Sequence, residues 1–169
     1  TPEGGGLCAL QVRRVEWVAL RRRRDLGRAG DRPLRDQVDQ ASRWLHSGAY
    51  SEAAMAYQVA LELNEQVGSR SIQARIYGGL ATVSTQKRDF NNAIDLYRMA
   101  QDLNQATGNR VGLGNVFGGL ASIYRHKRDA KQAIRYYEDA RRINEEVGNV
   151  YGLARALGGL GSTYAQMRD

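Results

Sequence analysis

The tripeptide Gly-Gly-Leu occurs three times at one fixed interval, as Gly78-Gly79-Leu80, Gly118-Gly119-Leu120 and Gly158-Gly159-Leu160, forty residues apart. The same register holds for Gly68, Gly108 and Gly148, for Tyr57, Tyr97 and Tyr137, for Ala60, Ala100 and Ala140, and for Asn64, Asn104 and Asn144. A repeat of this length implies a stacked solenoid, because one such unit is too small to bury its own apolar face and needs its neighbours to cover it.

Within one period the pattern predicts two helices. From Ile72 to Lys87 the positions Ile76, Tyr77, Leu80, Ala81 and Val83 recur near helical spacing. Lys87-Arg88-Asp89 interrupts them, and Asp89 suits an N-cap for the helix that follows. Phe90, Ala93, Ile94, Tyr97, Ala100 and Leu103 then form a second stripe, and Gly108 is placed as its left-handed stop. The next period repeats the scheme with Phe117, Leu120, Ala121 and Tyr124, then Ala133, Ile134, Tyr137, Ala140 and Ile143. A more diverged unit precedes them, with Ala41 and Trp44 on its first helix and Tyr50, Ala53, Tyr57, Ala60 and Leu63 on its second. The expected division is a basic segment at 1–31, units at 32–69, 70–109 and 110–149, and a half unit at 150–169.

These residues resemble the tetratricopeptide repeat. Tyr77, Leu80, Ala81, Ala93, Tyr97 and Ala100 match its aromatic and small positions, as do Phe117, Leu120, Ala121, Tyr124, Ala133, Tyr137 and Ala140. The forty-residue period is similar to the longer subclass found in kinesin light chains, cell-polarity adaptors and bacterial signalling proteins. The resemblance implies an all-α fold, an α-solenoid of stacked antiparallel helix pairs in a right-handed superhelix. It also implies protein binding on an inner surface formed by the first helices. Two positions depart from the pattern. Gly79, Gly119 and Gly159 stand where peptide-binding members often carry Asn, and Arg88, Arg128 and Arg168 replace the turn glycine that Gly48 keeps.

On the inner surface the resemblance places Arg75, Thr82, Thr85 and Gln86, then Asn115, Ser122, Arg125 and His126, then Arg155, Ser162 and Gln166. This set is polar and basic and lacks acids, which suits an acidic peptide or helix held by charge-assisted bonds. The Lys and Asn of the family's clamp for C-terminal carboxylates do not occur together here, so that activity is not carried over. The glycine pairs admit two compatible readings, close approach between successive helices or a smooth groove floor. The asparagine ladder reads as structural, bonding neighbouring backbone.

Charge is concentrated at one end. The chain carries a net +7, and residues 1–40 hold nine arginines against six acids, four of them consecutive from Arg21 to Arg24. That segment reads as a degenerate helix of a preceding unit, with Trp17 and Leu20 in register with Tyr97 and Ala100, or as a basic amphipathic arm. A second basic feature is the turn series Lys87, Arg88, Lys127, Arg128, read as a solvated edge or as a polyanion-binding one. Nucleic-acid binding through these two features is the alternative to a protein-binding scaffold.

Catalytic constellations do not emerge. His46 and His126 sit in no metal-ligand spacing, and Cys8 has no partner for a disulfide, a zinc site or nucleophilic catalysis. Gly112-Leu113-Gly114 with Gly118 has the wrong spacing for a phosphate loop and follows a helix. The expectation is therefore a non-enzymatic adaptor with no cofactor and no metal. No apolar run approaches the roughly 18 residues that cross a bilayer, and residues 1–10 lack the order of a secretory signal; a cytoplasmic location is expected. Leu153, Leu157, Leu160 and Tyr164 form an apolar stripe on the last helix, which predicts self-association through it.

Overall fold

The computed structural model describes residues 31–168. The Arg21–Arg24 run, Trp17, Leu20 and Cys8 lie outside them. Contacts divide the chain at Pro33/Leu34, and the description that follows is of the second unit.

Seven helices occupy the described residues: α1 Arg32–His46, α2 Tyr50–Val67, α3 Arg70–Gln86, α4 Phe90–Ala106, α5 Arg110–His126, α6 Ala130–Glu146 and α7 Val150–Gln166. From α3 onward each start is marked chemically, whereas α2 begins after Ala49 with no side-chain cap. The side chains of Ser69, Asp89, Asn109, Asp129 and Asn149 accept from the backbone N–H three residues ahead, satisfying one of the donors every helix start leaves open. The stops alternate. Gly68, Gly108 and Gly148 turn left-handed at φ 69°, 66° and 66° after each second helix. After the first helices the same conformation falls to Gly48, and then to Arg88 (φ 62°) and Arg128 (φ 59°), where a Cβ makes it costly.

Consecutive helices pack against one another from α2 to α7, and in addition α3 packs on α5 and α5 on α7. Contact between neighbours in sequence plus contact between alternate first helices is the signature of stacked helix pairs. The described residues thus form an all-α solenoid, as the period requires. Fully buried alanines at the crossings (Ala53, Ala60, Ala93, Ala100, Ala133, Ala140) let the helices approach. Ile76, Leu120 and Ile123 fill the spaces between, each worth about 1.5–3 kcal/mol of burial.

The tyrosine series locks one pair to the next. Tyr97 lies on α4, its hydroxyl 3.0 Å from Thr82 Oγ1 on α3 of its own pair. The edge of its ring occupies the space where a Cβ at Gly119 on α5 would stand. Tyr57 fills Gly79 in the same way, with its hydroxyl 3.1 Å from Ser42 Oγ, and Tyr137 fills Gly159. One member of each glycine pair is therefore a notch for the preceding tyrosine. The other member is not: a Cβ at Gly78, Gly118 or Gly158 would meet nothing within 4 Å. Close approach and open floor are both realised, by different glycines.

The buried asparagines form a second lock. Asn64 Oδ1 accepts from Ser69 N at 3.1 Å, Asn144 Nδ2 donates to the Ala140 carbonyl at 2.7 Å, and Asn149 Nδ2 donates to Asn144 Oδ1 at 2.7 Å. Asn104 lies where Gly112 would carry a side chain, and Asn144 does so for Gly114 and Gly152.

Candidate functional site

A cleft of about 260 Å³ opens between α5 and α7, with α6 beneath. Its walls carry Asn115, Ser122 and Arg125 from α5 and Arg155 and Ser162 from α7, five of the eleven groove residues expected from sequence. Its base is formed by Tyr137, Ala140 and Asn144, and Gly118 and Gly158, the two open glycines, leave its flanks bare. Tyr137, Asn144, Gly114 and Gly152 belong to this lining and were not anticipated. Their signal was the forty-residue period itself, which sets the tyrosine and asparagine of α6 opposite the glycines of α5 and α7.

Electrostatically the cleft is positive, for no carboxylate lines it. Arg125 is partly buried, and its Nε is enclosed without a hydrogen-bond acceptor. The Arg155 guanidinium lies 5.9 Å over the Tyr151 ring, a cation–π brace on its outer side. The Ser162 hydroxyl donates to the Gly158 carbonyl at 2.9 Å, so its proton is engaged.

The remaining expected residues fall elsewhere. Arg75 pairs with Asp39 of α1 at 2.7 Å, so its charge is already answered within the fold. Thr82 is spent on Tyr97 and on the Gly78 carbonyl at 2.9 Å. Gln86 is exposed on the last turn of α3. His126, expected in the groove, stacks on Phe90 at 6.0 Å between centroids. Burial first, then the neighbouring charges of Arg125 and Arg88, push its imidazole below the ordinary 6.5. His46 Nδ1 lies 2.6 Å from the Ser42 carbonyl, a local bond. Lys87, Arg88, Lys127 and Arg128 are all exposed, and none makes an ion pair among the described residues. Lys127 Nζ sits 6.0 Å from the Tyr124 ring centre.

The stripe on α7 needs correction. Leu160 is buried, 6% exposed, against Ala121, Ala133 and Tyr137, because it occupies the core position that Leu120 holds one period earlier. The exposed apolar residues are Leu157 (50%) and Tyr164 (51%), with Val150, Tyr151 and Met167, while Leu153 is half-buried. One period earlier, Phe117 and Tyr124 are covered by the Tyr136 ring of α6, at 6.1 and 5.5 Å.

Stacked helix pairs with an internally keyed period define the class as a helical repeat protein. The family model described as tetratricopeptide repeat matches residues 112–169, which hold the unit of α5 and α6 together with α7. Among solved structures, the crystal structure of BtubC (BKLC) from P. vanneervenii superimposes with a TM-score of 0.65 at 23% identity, over 77% of this chain. The chain spans about half (54%) of that neighbour's length, and the likeness is one of fold. No curated protein matches the chain in sequence. Among the described residues no helix is long and apolar enough to cross a membrane, and no group of His, Cys, Asp and Glu could hold a metal ion.

Proposed function

We propose that the chain is an adaptor whose concave groove, formed by α3, α5 and α7, holds an extended or helical segment of a partner protein that carries acidic side chains. The observation that supports this reading is the α5–α7 cleft, walled by Arg125 and Arg155 and free of carboxylates in its lining. A rigid stack of helices presents these donors in advance, so little conformational entropy is lost when a segment docks. The open glycines Gly118 and Gly158 let a ligand backbone approach the helices closely.

The test is a peptide-library selection on the parent chain and on a double variant, Ser122→Glu with Ser162→Glu, which narrows the cleft and cancels its positive charge. Acidic peptides are expected to enrich on the parent and to bind the variant at least tenfold more weakly, about 1.4 kcal/mol. Enrichment of neutral or basic peptides, or equal binding by a variant that keeps its unfolding midpoint, would refute the reading.

A further inference from the structure

Resting on the groove reading above, we propose that the α5–α7 cleft is a phosphoryl pocket: it receives a phosphorylated serine or threonine side chain of the bound segment, clamped between Arg125 and Arg155. Charge is the first reason. Two guanidiniums border one small cleft with no carboxylate in its lining, an arrangement that a monoanion leaves half neutralised and a phosphate monoester, with a charge approaching −2 near pH 7, matches. The positive field is felt beyond the cleft, where the phenol of Tyr97 senses Arg155 and the imidazole of His126 senses Arg125.

Donor count is the second reason. Arg125 Nε is buried with its N–H unanswered, a rare state in a folded protein, and no hydrogen bond or ion pair ties the Arg125 guanidinium to the fold among the described residues. The donors that border the cleft are the two guanidinium groups and the amide of Asn115, whereas the Ser162 proton is already given to the Gly158 carbonyl. A carboxylate brings two oxygens to this set; a phosphoryl group brings three, disposed to take a fork on each side.

Size is the third reason. About 260 Å³ gives ample room for a phosphorylated side-chain head group. The bare flanks at Gly118 and Gly158 provide the room through which the main chain behind that head group would pass.

The experiment uses the full chain and three fluorescein-labelled pools of short degenerate peptides, identical except for a fixed central phosphoserine, glutamate or serine, read by fluorescence anisotropy. The phosphoserine pool is expected to bind about tenfold more tightly than the glutamate pool, and the serine pool most weakly. Arg125→Gln and Arg155→Gln should each remove the preference for phosphoserine. Arg125→Lys should lower it, since an ammonium keeps the charge and loses the fork. Arg155 is exposed, so Arg155→Gln tests the pocket in a protein that keeps its core. Equal binding of the phosphoserine and glutamate pools, both lost in Arg125→Gln, would overturn the phosphoryl assignment while leaving the acidic-segment groove standing. A phosphoserine preference undiminished in both Gln variants would overturn the location. No binding by any pool would remove the pocket and the groove together.

Discussion

Gly118 and Gly119 are adjacent, both lie in the middle of α5, and they should respond to the same substitution with opposite signs. At Gly118 a methyl group would enter space with no atom within 4 Å, so Gly118→Ala keeps only the helix-propensity gain of about 0.5–1 kcal/mol. At Gly119 the new methyl would overlap the Tyr97 ring, with Cε1 at 2.7 Å and the ring tip closer still. Tyr97 cannot swing aside, being buried and held through its hydroxyl by Thr82. Overpacking of this kind costs about 1–3 kcal/mol. The propensity term is common to both variants and cancels, so their difference isolates the tyrosine notch at about 1–3 kcal/mol. Urea unfolding followed by far-UV circular dichroism measures it, provided the slope with denaturant stays constant. Truncating the ring by Tyr97→Leu in the Gly119→Ala background should recover part of the loss, as a double-mutant cycle between touching residues requires. If the two alanine variants differ by less than about 0.5 kcal/mol, the range of an ordinary surface substitution, then tyrosine does not lock successive pairs together and the account of the joint is wrong.

Two further outcomes follow from the turns and the buried phenols. Arg88→Gly should stabilise the chain by about 0.5–1 kcal/mol, the left-handed penalty of a side chain at φ 62° less the added freedom of glycine in the unfolded state; a thermal midpoint that fails to rise would contradict it. Burial raises the Tyr97 phenol, and likewise that of Tyr57, above the ordinary 10.0, against the weaker opposing pull of the hydroxyl partner on each. The unfolded phenols ionise near 10.0 while the folded ones hold their protons, so this contribution to stability is intact below pH 10 and falls as pH rises above it. Phenolate absorbance attributable to Tyr97, by difference from Tyr97→Phe, should appear only with loss of helical dichroism; its appearance at pH 10 in a folded chain would refute the burial argument.

The fold was legible because a strict period leaves few alternatives: the glycine stops, the aspartate caps and both apolar stripes fall where their spacing puts them. The division of labour within each glycine pair was not legible, since it depends on how far the preceding tyrosine reaches across a joint, and that distance is a property of packing between units. Arg75 shows a different difficulty. Its partner, Asp39, stands in the most diverged unit, at the position that later units give to Gly79, Gly119 and Gly159, so the period concealed the pair. His126 was set in the groove by its register, yet one aromatic neighbour, Phe90, holds it at the turn edge instead. Leu160 could have been placed correctly from Leu120, one period before it. The cleft was half readable: its charged walls lie on first helices, but its base comes from a second helix seen only once the pairs are stacked.

The tyrosine notch also sets a rule for how such a chain can change length. Each joint is made by a ring on one pair and a vacancy on the next, and every joint is of the same make. Removing residues 69–108 would join Gly68 to Asn109, present Tyr57 to the vacancy at Gly119, and bring Asn64 to the place Asn104 holds against Gly112. A cut even a few residues shorter or longer would aim the ring at a side chain. The array is therefore tolerant of insertion and loss in whole multiples of forty and intolerant of anything between, a grammar in which only complete words can be added or struck out.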